Sequence, residues 1–300
     1  MRLDEWNSEL RHAARSLRRS PGFAAISVLM LGLAIGATAS LFAVVDTVLL
    51  QPLPYREPDR LVHIAASAPG SDFPEEFGLA AEFLVQYREQ SRLISDISNY
   101  NSYTSTLRTA DRVERIRMSS PTNSMYATLG VAPALGRAPV DDDGDDAVVL
   151  SDALWESWFG RDPSVIGKRF DVSGAPRTVV GIMPPGFRFP DDGTQLWISG
   201  DITEADISRP GNFGLNLVAR LAPGATPEAL ATELTQIGKR VPERFGGSPA
   251  YARLVEQHHA VVRPLEKQFL GPIARPLWVL LAAGAVVLLI ACANVANLFL

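Results

Sequence analysis

The chain has 300 residues, 47% of them apolar, and a net charge of −5; the length allows about two soluble domains and the apolar share is ordinary for a globular protein. Residues 1–22 carry five Arg and three acids, the rest of the chain is acidic, and no dense basic stretch suggests nucleic acid as a partner. The single cysteine, Cys292, excludes an internal disulfide and with it the disulfide-rich secreted modules.

Leu3, Trp6, Leu10, Ala13, Ala14 and Leu17 recur at helical spacing with Arg and Glu on the other face. This predicts an amphipathic helix over 1–20 lying on the cytoplasmic membrane surface; a frayed polar leader is the alternative. Phe23 to Val45 contains no charge, and about 20 apolar residues cross a bilayer core of roughly 30 Å as a helix. A first membrane span is therefore expected over 21–48. A cleavable signal peptide, with Ala37-Thr38-Ala39 as its cleavage site, is the rival reading. The apolar run continues through Leu41, Phe42, Val44 and Val45, longer than a signal core of about 7–15 residues. Arg11, Arg15, Arg18 and Arg19 precede the span and place the N-terminus in the cytoplasm; Arg15, Arg18 and Arg19 are expected to meet anionic lipid. Gly32, Gly36 and Ser40 form a stripe of small residues that lets another helix approach closely. The plain alternative is that small residues are common in membrane helices.

The middle of the chain, 49–275, reads as one mixed α/β domain. Strands are expected at Leu61–Ala66, at one or two places within 96–118, and at Ala147–Leu150, Phe170–Val172, Thr178–Ile182, Leu196–Ser199, Asn216–Leu221 and Ala260–Leu265. Helices are expected over Leu79–Leu93, through Leu79, Phe83, Tyr87 and Ile94, at Ser124–Leu129 before Gly130, and at Ala153–Phe159. A longer one starts at Thr226-Pro227-Glu228, where a capping hydroxyl, a first-turn proline and an acid coincide, and runs to about Val241. The stretch 147–200 is turn-rich and strand-rich, which suggests a small β-rich subdomain inserted into an α+β one. A second span is expected over 276–300, uncharged from Leu277 onward. Asn294 and Asn297 within it are costly in lipid unless paired, so they are expected to bond across helices; a substrate or proton path is the sharper alternative. Cys292 is read as a small packing residue. The apolar run reaches the last residue, which points to a fragment of a longer membrane protein.

No chemistry stands out between the spans. A phosphate-binding loop needs Gly-Lys followed by Ser or Thr with a glycine five residues earlier. Gly167-Lys168 and Gly238-Lys239 are both followed by Arg and lack that glycine. The run Asp141-Asp142-Asp143-Gly144-Asp145-Asp146 offers oxygen ligands for a divalent cation, but lacks the spacing and closing Glu of a calcium hand, and a solvated loop is the simpler reading. His258-His259 has no second pair at metal-ligand spacing and is read as a strand-edge loop. Ser248 sits in a Gly-Gly-Ser-Pro turn rather than a nucleophile elbow. No enzyme is expected, and neither cofactor nor metal in this chain.

Four strings, in order along the chain, resemble a known family. RSLRRSPGFAAISVLMLGLAIGATASLFAVVDTVLLQPLPYREPDRLV is similar to the opening of MacB/FtsX-type ABC transporter permeases, in particular the long duplicated permeases of acidobacterial type. VVLSDALWESWFGRDPSVIGKRFDVSGAPRTVVGIMPPGFRFP and LVARLAPGATPEALATEL resemble the middle of their periplasmic core domain, and LLIACANVANLFL resembles their second membrane helix. The resemblance implies an α+β periplasmic domain, a porter-like subdomain with an inserted β-rich subdomain, flanked by two transmembrane helices. It implies a permease of the bacterial inner membrane working as a dimer or pseudo-dimer with a second permease unit, a periplasmic adaptor and membrane lipids. ATP and Mg²⁺ would be held by a partner ABC ATPase, coupled to efflux or mechanotransmission. Third and fourth membrane helices and a cytoplasmic coupling segment, which the family carries, are absent from this sequence. A two-span, membrane-anchored periplasmic binding or sensory module without transport is the alternative, and a membrane-anchored hydrolase a third class.

Overall fold

The computed structural model describes residues 21–50 and 53–299. The amphipathic segment and Arg15, Arg18 and Arg19 lie outside the described residues. The chain divides into two compact units, Met1–Pro52 with Phe269–Leu300, and Leu53–Gln268.

Helix α1 (Pro21–Val45) fills the first expected span and continues as one π-helical turn at Asp46–Leu50. In the second unit, strand β1 (Leu61–Ser67) leads to α2 (Ala81–Gln90) and then to three strands, β2 (Ile94–Tyr100), β3 (Tyr103–Arg108) and β4 (Val113–Ser119). Helix α3 (Met125–Leu129) closes on Gly130, whose left-handed φ of 69° suits a residue without Cβ. Next come β5 (Leu135–Gly136), β6 (Ala147–Leu150) and α4 (Asp152–Phe159), the last capped by the Ser151 hydroxyl accepting from Leu154 N. Strands β7 (Arg169–Val172) and β8 (Ala175–Ile182) form a hairpin with only Ser173-Gly174 between them. Both turn residues have positive φ, as a two-residue hairpin demands. Then follow β9 (Thr194–Ile198), α5 (Glu204–Ile207), β10 (Asn216–Leu221), α6 (Pro227–Lys239), α7 (Val241–Phe245), α8 (Pro249–Glu256) and β11 (His259–Pro264). Helix α9 (Leu265–Phe299) starts directly after β11 and runs through the second expected span. It begins well before residue 276, and it keeps Pro272 and Pro276 in its interior.

Two sheets result. The first is antiparallel, in the order β11-β1-β10-β2. Val62, Ile64 and Ala66 of β1 and Leu217, Ala219 and Leu221 of β10 share a core with Phe83, Leu84 and Tyr87 of α2, Leu230, Leu234 and Ile237 of α6, and Tyr251 and Val255 of α8. Each such Leu or Phe removed from water contributes about 1.5–3 kcal/mol. By strand alternation His63, Ser98, Tyr100 and Arg220 face the other side of this sheet, and Ser98, His63 and Arg220 are all buried there.

The second sheet, in the order β5-β8-β6-β9-β4-β3-β7, closes on itself because β7 pairs with both β3 and β8. Six strands thus form a ring around Leu107, Ile116, Met118, Val148, Leu150, Val172, Val179, Ile182 and Leu196. This corrects the extent of the inserted β-rich part. It takes in Tyr103–Ser119 as well as the expected 147–200, and it interrupts the first sheet between β2 and β10. The strings YTSTLR and VERIRMS carry no apolar run that announces a core. They join the ring through the parallel pairing of β4 with the distant β9, a contact no local pattern encodes.

Within the helix unit, α1 and α9 touch at one seam. Thr38 Oγ1 donates to Ala34 O (2.8 Å) in its own helix and lies 3.2 Å from Gly284 O. A Cβ on Gly284 would come 3.1 Å from Leu41 Cδ1. Ser27, Leu31, Ala34, Thr38, Leu41 and Val45 on α1 and Leu277, Leu281, Gly284, Leu288 and Ala291 on α9 are among the less exposed positions, spaced by alternate threes and fours. That spacing is the seam of left-handed helix packing.

Candidate functional site at the junction of the two sheets

Residues 53–60 receive the chain after α1, and they are fixed at the seam between the two sheets. Tyr55 is 8% exposed. Its hydroxyl donates to Arg188 O at 2.6 Å, and its ring meets Phe187 and Phe189 edge-on, with centroids 6.3 and 6.2 Å away. Phe189 in turn packs on Tyr100 of β2 at 5.2 Å, and its carbonyl accepts from Trp197 Nε1 of β9 at 2.8 Å. Tyr100 OH lies 3.0 Å from His63 Nδ1 on β1. A continuous contact path therefore runs from the entering chain through the 184–190 loop of the ring into the first sheet.

One residue on, the chain is held by a buried cation. Arg220, 1% exposed in the middle of β10, donates from Nη2 to Arg56 O (2.6 Å), from Nη1 to Glu57 O (3.3 Å) and from Nε to Thr128 O at the end of α3 (2.9 Å). The Glu57 carboxylate lies 3.8 Å from Nη1. A guanidinium presents its donors in a planar fork, so one side chain satisfies three carbonyls at once. Burial, then the neighbouring charges of Arg56 and Arg60, lower the Arg220 pKa; the carbonyls and Glu57 offset that cost. Arg60 adds bonds from Nε and Nη2 to Leu221 O at 3.1 and 2.7 Å. Gly130 leaves room for Arg56, since a Cβ there would stand 2.6 Å from Arg56 Cβ.

The crossings between the sheets are also pinned. Asn99 Oδ1 accepts from Thr122 N (2.7 Å), and Asn101 Oδ1 from Ser120 N (2.6 Å). Thr122 Oγ1 and Ser98 Oγ lie 2.9 Å apart. Two histidines are held neutral within this frame. His63 is lowered to about 4 by burial and then by Arg263, and His258, 2.9 Å from Tyr87 OH, is lowered to about 4 by burial, then by His259 and Lys239. Burial raises the Tyr55, Tyr87 and Tyr100 hydroxyls. The junction fixes the entering chain against both sheets.

The residues singled out in the sequence lie elsewhere. Gly32, Gly36 and Ser40 are exposed, off the seam with α9, and a Cβ at either glycine would meet nothing within 4 Å. Ser40 Oγ donates to Gly36 O in its own helix. Asn294 and Asn297 are exposed on α9, with no hydrogen bond to another described residue, and Cys292 is exposed too. His258 lies in the short loop between α8 and β11, as a strand-edge loop requires, but is buried there, whereas His259 opens β11 and is exposed. Ser248 caps α8, accepting from Tyr251 N at 3.2 Å. Tyr55 and Arg220 were not singled out. The signal for Arg220 was an arginine inside the apolar run Asn216–Leu221, where an unpaired charge is rarely tolerated.

A mixed α/β domain set in sequence between two helices long and apolar enough to cross a membrane, Ala25–Val45 and Ile273–Asn297, defines the class. The profile of the MacB-like periplasmic core domain matches residues 24–237, and the chain belongs to this family, a component of ABC transporter permeases. The periplasmic region of MacB from Actinobacillus actinomycetemcomitans is similar over 71% of this chain and 92% of its own length, at 13% identity and a TM-score of 0.50. A domain of a permease protein from Porphyromonas gingivalis covers the same shares at 17% identity and a TM-score of 0.53. At these identities the likeness is one of fold. No curated protein matches the sequence.

Proposed function

We propose that the chain is part of the membrane-spanning subunit of a MacB/FtsX-type ABC transporter of the bacterial inner membrane. In this reading the N-terminus is cytoplasmic, with Arg15, Arg18 and Arg19 against anionic lipid, and the α/β domain works on the periplasmic side. A partner ATPase binds ATP and Mg²⁺ below and moves the two spans; the domain carries that motion to an efflux adaptor or another periplasmic partner. The observation that supports this best is the fixed entry of the chain. Tyr55, Arg56 and Glu57 are locked to both sheets, and β11 passes into α9 with no residue between. A displacement of α9 therefore reaches β11 directly, as rigid-body transmission requires.

Co-expression with the ABC ATPases of its own cells, followed by purification through a tag on this chain, tests the proposal. An ATPase that co-purifies and whose hydrolysis rate changes when Tyr55 is replaced by alanine supports it. A preparation free of ATPase would leave the anchored sensory module instead.

The open stripe of Gly32, Gly36 and Ser40 is assigned to contact with a second permease unit, and Asn294 and Asn297 to hydrogen bonds with helices of that unit. Gly36→Leu is expected to weaken self-association in membranes by about 1–2 kcal/mol, read by crosslinking between copies, while crosslinking across the Thr38–Gly284 seam stays unchanged. Undiminished association would remove that role.

A further inference from the structure

Between the two sheets lies a cleft of about 600 Å³, a size typical of small-molecule sites, which favour such junctions. Asn99 lines it from the first sheet, Ser105, Ser173 and Arg177 from the ring, and Asp201 from the segment that returns to β10. Its polar groups are not all satisfied. Arg177 Nε and Nη1 are buried with no hydrogen-bond partner, and no ion pair joins Arg177 to another described residue. A guanidinium at the cleft wall with no anionic partner favours an oxyanion, met through Nη2, the donor that is not enclosed.

The cleft also carries the opposite charge. Asp201, half-buried, accepts from Asn123 N and Nδ2 at 3.3 and 2.8 Å, both neutral donors. Its carboxyl is raised, first by burial and then by the negative charges of Asp141 and Asp145, against the Asn123 backbone bond. Asp145 lines the same cleft, exposed and without an ion-pair partner among the described residues. Asp206 is already engaged, accepting from Thr203 N and Oγ1. An anion alone would meet Asp145 and Asp201, and a cation alone would leave Arg177 unmet.

We propose that this cleft binds a small zwitterion of the amino-acid class, its carboxylate on the Arg177 guanidinium and its ammonium at Asp145 and Asp201. The inference stands apart from the permease reading, since it needs neither an ATPase nor transport. Both sheets contribute walls, so an occupant would bias the angle between them.

Titration calorimetry on the full chain in detergent micelles tests this, with glycine, 4-aminobutanoate and L-lysine as probes and butanoate and butylamine as half-ligands. At least one amino acid is expected to bind more than about tenfold tighter than either half-ligand, the scale of one charged hydrogen bond. Arg177→Met is expected to weaken that binding by about tenfold or more. Asp145→Asn, at an exposed position where folding is not at stake, is expected to weaken it about threefold while leaving the melting temperature unchanged. No heat from any of the three amino acids overturns the proposal. So does a half-ligand that binds as tightly as the intact one, or equal binding to wild type and Arg177→Met.

Discussion

The two sheets of the domain solve the same packing problem in different ways. The ring closes on itself around a mainly apolar core, Leu107, Met118, Val148, Leu150 and Leu196 among them, with Ser119 and Thr194 its buried polar strand residues, and a closed ring leaves no edge to satisfy. The four-stranded sheet stays open, and behind its apolar face it buries Arg220, His63 and Ser98, with Glu82, Gln86 and His258 buried among its helices. Apolar packing is non-directional, whereas these polar groups bond to chosen partners. In the open sheet those partners include the segment that arrives from the first apolar helix. The contrast teaches that the ring is built for shape and the open sheet for attachment.

Four measurements sharpen or break that contrast, all by denaturation of the full chain followed through tryptophan fluorescence. Arg220→Ala carries the largest expected loss, about 4 kcal/mol, because the buried Thr128 carbonyl and two half-buried ones lose their donor; a loss under about 1 kcal/mol would mean water replaces the guanidinium and the attachment is weak. Leu196→Ala in the ring is expected to cost about 3 kcal/mol as a cavity term, with no dependence on pH between 7 and 5.

The open sheet should depend on pH. His63 and His258 have folded pKa values near 4, below the 6.5 of a free imidazole, so the unfolded chain binds more protons in that window and stability falls as pH drops through it. At pH 5 the expected loss is about 2 kcal/mol per histidine relative to pH 7. His258→Asn should remove roughly half of the histidine-linked slope, and an unchanged slope would place the sensitivity elsewhere. The smallest effect is that of Tyr55→Phe, about 1 kcal/mol for one buried hydrogen bond to Arg188 O, and no effect would show that the ring contacts alone hold the entry.

Much of the framework was legible in the sequence because it is local. Asn216–Leu221 carries the apolar Leu217, Val218, Ala219 and Leu221 and is a strand between those same end residues. Thr226-Pro227 starts α6 where a capping hydroxyl and a first-turn proline require it, with Thr226 accepting from Ala229 N. Helix α8 was hidden because Gly246-Gly247-Ser248-Pro249 reads equally as a turn or as a cap, and the cap wins through burial of Tyr251 and Val255. Strands β2 to β4 merged into one polar stretch, and their assignment to different sheets rests on β10 and β9, over 70 residues away. Arg220 passed as one residue of an expected strand. Its role depends on Arg56, Glu57 and Thr128 converging on it, which no spacing in the sequence announces.

The position of β11 has a mechanical meaning. It is an outer strand, paired to β1 alone over Val62–Ser67, and it is the strand that continues into α9. Tension directed along β11 loads its hydrogen bonds to β1 together, so they yield as a group or not at all. Tension directed across the sheet opens them one after another, like a zip. The ring offers no such starting point. For a pull arriving through α9, the first bonds loaded would be those between β11 and β1, and its direction would decide whether they yield together or in turn.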